Sequence, residues 1–316
     1  MTTWIENGLK NQYIQKYPYD RFQNIEYNGQ SGGEGRFSLV ASAEWSDTNR
    51  KVALKKLKNY DVDKFVSEVR MHSTGHSSKN IVRFLGLTNE KESVSYIMVL
   101  EYADRNNLRT FLQKGKNLGW SDKVRLSLDI AKGLSYLHLL NIAHRDLHSN
   151  NVVINQVHGC NQPEYIAKIT DFGSAINMDE DNNDVNGVIG QIPFTDPKYL
   201  DDHKNYRKDL RSDIYSLGVM FWEISSCKVP FGNFMPESRG DFRDLCLAFE
   251  IIISTYRERI VPRTPQQFAD LYQRCWDGEP SERPNIKTVI EELDTISNII
   301  SVTLSNSLNQ TKTIGQ

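Results

Sequence analysis

Five side chains in this 316-residue sequence have types and spacings that could do chemistry together. Asp146 and Asn151 lie in the run His144-Arg145-Asp146-Leu147-His148-Ser149-Asn150-Asn151, and further on Asp171 opens Asp171-Phe172-Gly173. Carboxylate and amide oxygens are the ligands that a hard divalent cation takes, and an aspartate can also accept a hydrogen bond from an attacking hydroxyl. Upstream, Val52-Ala53-Leu54-Lys55 places a lysine at the end of a strand-like run, and Glu68 lies in a helical pattern from which it could reach back to that lysine. Gly32-Gly33-Glu34-Gly35 is a turn whose backbone N–H groups could approach a phosphate with no Cβ in the way. Taken singly, each has an ordinary reading. Lys55, beside Lys56, would be a solvated strand-end charge, Glu68 an exposed helix residue, Asp146 and Asn151 turn or cap residues, and the glycines a hairpin. Taken together and in this order they require five coincidences. The fixed positions of the His144–Asn151 run alone arise by chance in about one of ten thousand chains of this length.

Such groups need elements to hold them. Before residue 102, Arg36–Glu44, Lys51–Leu57, Ile81–Leu87 and Tyr96–Tyr102 read as strands. The helical pattern Asp63–His72 interrupts them, with Phe65, Val66, Val69 and His72 on one face. After residue 102 the pattern turns helical: Trp120–Leu139, Ser212–Ser225, Phe268–Cys275 and, just after Pro284, Ile286–Ile299. The expected fold is α+β, with a small β-rich lobe over residues 25–102 carrying one helix, a larger mainly helical lobe over 103–297, and a site in the cleft between. Residues 1–24 carry Trp4, Ile5, Tyr13, Ile14, Tyr17 and Tyr19, too apolar a set for a linker, and are expected to pack on the domain. Residues 298–316 are polar and read as a disordered tail.

Composition narrows the function classes. Lys+Arg 38 against Asp+Glu 40 leaves a net charge of −2, too little to hold a polyanion, so nucleic acid is not an expected partner. Cys160, Cys227, Cys246 and Cys275 are too scattered for a zinc site or a disulfide framework. No apolar run approaches the ~20 residues that cross a bilayer, and MTTWIENGLK lacks a leader's basic-then-apolar pattern. A cytoplasmic location is expected, with a nuclear one open.

The motifs, in this order, resemble a eukaryotic protein kinase domain over about residues 25–297. Besides those above, Gly33-Glu34-Gly35-Arg36-Phe37-Ser38-Leu39-Val40 resembles the glycine-rich loop, and Asp213–Gly218, Cys275-Trp276 and Arg283-Pro284 look like landmarks of the helical lobe. The H-R-D-L-H-S-x-N variant is most similar to the tyrosine-kinase-like group, whose members mostly phosphorylate Ser/Thr. The resemblance implies a bilobal fold with an ATP cleft, ATP and Mg²⁺ (or Mn²⁺) as cofactors, and a protein substrate. By the same token Asp146 would orient the attacking hydroxyl, Lys55 would hold the α/β-phosphates with Glu68 orienting it, and Asp171 and Asn151 would hold the metal ions. Gly33, Gly35 and Phe37 would cover the nucleotide, Val40 and Ala53 would line its site, and Leu100, Glu101 and Ala103 would form the linker beside adenine. Two alternatives stay open: a kinase-fold binding module with little transfer, and a dual-specificity or Tyr-directed kinase. The sequence does not indicate an oligomer.

Four departures from the family pattern bear on this. Ser38 replaces the third loop glycine. Asp196-Pro197-Lys198 stands for A-P-E, so the family's buried ion pair with the arginine at position 283 is expected to be lost, unless Asp196 supplies the carboxylate. His148 takes the place of a lysine that contacts the γ-phosphate, position 150 is Asn150, and Gln191 replaces a threonine. Finally, the segment from Asp171 to Lys198 has only Ser174 and Thr195 as hydroxyl residues. Its middle, Asp179-Glu180-Asp181-Asn182-Asn183-Asp184, either stands in for a phosphate facing Arg145 or is a solvated loop.

Overall fold

The computed structural model describes residues 2–27, 38–58, 61–74, 77–91, 93, 95–114, 118–158, 163–180, 190–235 and 240–314, the last eleven by backbone alone. The small lobe is an antiparallel sheet of β1 (Phe22–Tyr27), β2 (Ser38–Trp45), β3 (Arg50–Leu57), β4 (Phe84–Thr88) and β5 (Ile97–Glu101) in the order β1-β2-β3-β5-β4. Alternation along each strand sorts its side chains between two faces. Val52 and Leu54 join Phe22, Ala41, Ala43, Ile97 and Val99 in one apolar layer. Met98, Leu100 and Ala53 face the other way, against Phe65, Val66 and Val69 of helix α2 (Val62–Thr74). Lys55 follows Ala53 on that second face, so the strand's pleat aims it at the helix. The register sets Lys55 opposite Val40 on one side and Met98 on the other.

Sequence patterning finds β3, β5 and α2 to within two residues. It misses β1, whose Gln23, Asn24 and Glu26 spoil the apolar alternation, and it starts β4 too early. Ile81 and Val82 instead meet Ile169 of the large lobe, with Val82 N–H donating to the Ile169 carbonyl at 2.9 Å. The N-terminal segment forms α1 (Thr2–Lys10), and Ile5 and Ile14 enter the core shared with α2. The Arg70 guanidinium of α2 lies 5.0 Å from the centre of the Trp4 ring.

The large lobe is built on α4 (Trp120–Leu139), whose ends match the expected ones, and on α6 (Leu210–Ser226), buried from Ser212 to Ser225. Asp209 and Ser212 close a reciprocal cap at the start of α6. Around these helices pack α3 (Leu108–Lys114), α5 (Pro197–Asp201), α7 (Asp241–Ile253), α8 (Gln266–Cys275) and α9 (Ile286–Ile314). The short ladders β6 (Ile142–Ala143) with β9 (Ile176–Asn177) and β7 (Val152–His158) with β8 (Pro163–Ile169) carry the loops that line the cleft. Tyr215 and Trp276 are buried core residues.

The reading of residues 298–316 as disordered needs correction, because α9 runs on to Ile314. No glycine or proline interrupts the chain between Pro284 and Gly315, and once Val289, Leu293 and Ile296 dock a helix its extension fixes only one residue per added bond. Ser301 and Thr303 Oγ atoms also bond back to the carbonyls four residues earlier. Among the described residues no helix is long and apolar enough to cross a membrane.

Docking of the N-terminal segment predicts that Ile5→Ala destabilises the protein by about 2–4 kcal/mol. A urea titration should show the midpoint fall, and an unchanged midpoint would mean that Ile5 contributes nothing to the folded unit.

Candidate active site

Lys55 is the centre of the cleft's electrostatics. Its ammonium is bonded to Glu68 of α2 and donates to Asp171 Oδ1 at 2.8 Å. Burial works against the charge on Lys55, but the two carboxylates outweigh it and raise its pKa. Burial likewise pushes Asp171 up, and the Lys55 ammonium overrides this and holds it at about 2. Asp171 adopts φ 65°, a left-handed backbone that turns its carboxylate back toward β3. The next residue, Phe172, is buried between two histidine rings, with centroids 4.7 Å from His72 and 5.4 Å from His144. His72 stands one helical turn after Glu68. Burial and the nearby Lys55 charge hold it down at about 3, so it is neutral.

Asp146 and Asn151 are brought together by the loop between β6 and β7. Asn151 Nδ2 donates to the Asp146 carbonyl at 2.9 Å and lies 3.3 Å from His148 Nε2. His148 Nε2 is 3.7 Å from Asp146 Oδ2, and burial lowers the His148 pKa, keeping it neutral. The loop hangs on Asp213 of α6, whose two oxygens accept from His144 N at 2.8 Å and Arg145 N at 2.9 Å. Arg145 then takes φ 67°, the turn that delivers Asp146 to the cleft.

Two residues near Asp146 carry no motif signal. A Cβ added at Gly190 would stand 2.5 Å from Asp146 Oδ1, so this backbone approaches the carboxylate as only glycine can. Lys208, in the segment before α6, is buried and donates to the Arg145 carbonyl at 3.2 Å. Burial lowers it to about 8, against the opposing pull of Asp146. Each is one glycine or lysine among many, and only the fold brings it beside the loop.

At the linker, Leu100 is buried and Ala53 packs beside it, with Val40 half-buried on the neighbouring strand. The Glu101 side chain is taken by Lys168 at 2.7 Å, and its N–H donates to the Arg83 carbonyl. Gly33, Gly35 and Phe37 lie outside the described residues. A groove of about 1030 Å³ lies beside the linker, but it is lined by Tyr17, Trp45, Arg50, Arg83 and Lys168 and includes neither Asp146 nor Asp171.

The pattern of the family described as protein tyrosine and serine/threonine kinase matches residues 28–293, a span that contains Lys55, Glu68, Asp146, Asn151 and Asp171. The chain belongs to that protein kinase family. It is 30% identical over 239 residues to the serine/threonine/tyrosine-protein kinase HT1 of Arabidopsis thaliana, covering 74% of this chain and 56% of that protein. It is 31% identical over 272 residues to the serine/threonine-protein kinase CTR1 of the same organism, covering 83% and 30%. It is 30% identical to the dual specificity protein kinase zakA of Dictyostelium discoideum, covering 92% and 40%. The chain thus spans between about a third and just over half the length of these relatives.

Within this kinase fold the expected loss of the buried ion pair is overturned. Asp196 N-caps α5, accepting from the Lys198 N–H, and its carboxylate faces inward onto Arg283 at 2.7 and 3.0 Å. Both side chains are 0% exposed. Burial pushes Asp196 up, but the bonds from Arg283 and Ser212 prevail and lower it. Lys198 points away and pairs with Glu279 at 2.7 Å on the surface, so no two cations collide. Of the acidic run, only Asp179 and Glu180 lie within the described residues. Asp179 Oδ1 accepts from Asn141 at 2.6 Å.

Removing one partner of a buried pair strands the other charge. Asp196→Ala should therefore cost about 3–5 kcal/mol, while Lys198→Ala, at an exposed pair, should leave the melting temperature nearly unchanged. Equal effects would show that the inner pair is not what holds α5. His72 generates a pH prediction. An unfolded histidine titrates near 6.5, whereas folded His72 stays neutral down to about 3. Over that window the unfolded chain binds the extra proton, so stability drops as pH falls. Wild type should lose about 2 kcal/mol more than His72→Leu between roughly pH 7.5 and 5. Parallel urea-derived stability curves for the two proteins would contradict this.

Proposed function

We propose that the chain is an active protein kinase that transfers the γ-phosphate of ATP to a Ser or Thr hydroxyl of a protein. The observation that carries this reading is the complete reacting set: Lys55 joined to both Glu68 and Asp171, with Asp146 and Asn151 bonded side by side across the cleft. The donor set fits Mg²⁺, because a carboxylate held low in pKa and an amide oxygen are hard oxygen ligands. Asp171 and Asn151 would hold the metal, which when bound neutralises charge on the phosphate chain. Lys55, kept charged by its carboxylates, would bind the α/β-phosphates. Asp146 would accept the hydrogen bond of the attacking hydroxyl and orient its oxygen toward phosphorus. Leu100, Glu101 and Ala103 would border adenine, with Val40 and Ala53 as its apolar walls, and Gly33, Gly35 and Phe37 would cover the phosphates.

A second reading, a binding module with little transfer, is favoured by one observation. His148 is buried and neutral where the family pattern has a lysine, so it brings no charge toward a γ-phosphate. Transfer of labelled γ-phosphate to generic Ser/Thr and Tyr acceptors, with Mg²⁺ or Mn²⁺, separates the two. Asp146→Asn should cut incorporation by about 10²–10⁴-fold, with the label of the wild-type product on Ser or Thr. Label on tyrosine would reassign the acceptor class. Incorporation equal to the Asp146→Asn background, from folded protein, would establish the binding module.

A further inference from the structure

The position of Asp146 depends on the peptide that precedes it. Arg145 stands at φ 67°, a left-handed conformation that a non-glycine residue keeps only where its surroundings hold it. Asp213 holds one side, accepting from Arg145 N at 2.9 Å. The other side is held from a distant part of the chain, where the Lys208 ammonium donates to the Arg145 carbonyl at 3.2 Å. That carbonyl belongs to the peptide bond that ends on Asp146 N. The ammonium therefore lies within about 6 Å of that nitrogen.

A lysine is a costly donor for such a bond. Lys208 is 5% exposed, and burying an ammonium costs far more than one bond to a neutral carbonyl returns. Its Nζ also lies 4.5 Å from the centre of the Tyr199 ring on α5, a contact that favours a cation. Neither partner is negative. A side-chain amide would hold the same carbonyl with no charge to bury, so what the lysine adds is its charge. Of the charged groups around it, Asp146 draws it most strongly. Asp213 of α6 and Asp196 at the cap of α5 pull in the same sense, and Arg145 opposes them. Along its own segment Lys208 is flanked by Arg207 and Asp209. His148, 3.7 Å from Asp146 Oδ2, is neutral and brings no positive charge of its own.

We propose that Lys208 is a positioning residue for phosphoryl transfer: its hydrogen bond sets the Arg145–Asp146 peptide, and its positive charge holds the Asp146 carboxylate where it accepts the substrate hydroxyl. This role rests on the kinase reading above. Gly190, where an added Cβ would stand 2.5 Å from Asp146 Oδ1, limits how far the same carboxylate can turn. Burial lowers the Lys208 pKa to about 8, so the ammonium loses its proton as pH rises through that value. Transfer then has an alkaline limit set by a residue outside the reacting set.

Two measurements on the full chain test this. The first is kcat at saturating ATP and acceptor, from about pH 6.5 to about pH 9.5. Wild type should fall about 10-fold on the alkaline side as Lys208 loses its charge. Lys208→Met should be about 10-fold slower at neutral pH with KM for ATP unchanged, and should show no alkaline fall. Lys208→Arg, charged throughout that range, should restore most of the rate and also lack the fall. A lysine of merely structural value would leave the fall in place in both variants. The second measurement needs no transfer. The NMR signal of lysine labelled at Cε, assigned by its loss in Lys208→Arg, reads the titration of Lys208 directly. Its midpoint should drop by about one pH unit in Asp146→Asn, which removes the pull of the carboxylate. The Asp146 side chain is 32% exposed, so this change leaves the fold intact. A wild-type rate that stays flat above pH 8, a fall that persists in Lys208→Met, or a midpoint unmoved by Asp146→Asn would overturn the proposal. No transfer by the wild type would overturn the kinase reading, and the positioning role with it, whatever the midpoint does.

Discussion

A lysine stays charged in a protein interior only where carboxylates hold it there, and the rest of this fold is arranged around that requirement at Lys55, which is 4% exposed. Its two carboxylates come from different places. Glu68 arrives on α2, which must lie flat on the sheet for the side chain to reach, and Asp171 arrives from beyond β8, in the other lobe. The three groups can meet only when the helix is seated and the lobes are closed on each other. Phe172, the neighbour of Asp171, is then driven between His72 and His144, so the same residue pair reports helix position on one side and loop position on the other. A charge that would be costly alone thus couples three elements far apart in the chain.

The large lobe repeats this logic with negative charge. Asp213, 1% exposed on a helix buried nearly all round, is compensated by two backbone N–H groups and His138 at 3.1 Å. That need for donors bends the loop so that Asp146 emerges toward solvent while its neighbours stay inside. Asp196 is compensated by Arg283, with Ser212 at 2.8 Å and Tyr206 at 3.1 Å completing its shell. In both cases satisfying a buried carboxylate positions backbone that borders the cleft.

The sequence is legible wherever a residue's role depends on its neighbours in the chain. Lys55, Glu68, Asp146, Asn151 and Asp171 are legible because order and spacing along the chain suffice to join them, and α4 because twenty residues of periodic burial leave no other reading. It is less legible where the fold chooses among equivalents. Lys198 replaces the family's acidic residue, and only the cap of α5 reveals that Asp196, two positions earlier, has taken over the bond. Gly190 and Lys208 border Asp146 through backbone paths that no local pattern encodes. Helix α7 carries apolar residues on both its buried and its exposed side, so its pattern does not tell which side faces the lobe.

The segment between Asp171 and Lys198 shows what these buried bonds mean for control. Of its two hydroxyl residues, Thr195 is buried and its Oγ1 donates to the Gln191 carbonyl at 3.0 Å, so adding a phosphate there would require the turn to open. Ser216 of α6 donates to the neighbouring Phe194 carbonyl at 2.7 Å, and the Asp196–Arg283 pair closes the same stretch one residue on. The C-terminal end of the segment is thus held by bonds to α6 and Arg283 that exist without modification. Ser174, exposed beside Gly173, is the hydroxyl left accessible, three residues after Asp171. A phosphate placed there would set new negative charge three residues from Asp171. The turn over residues 191–196 is therefore held by bonds that the fold itself supplies.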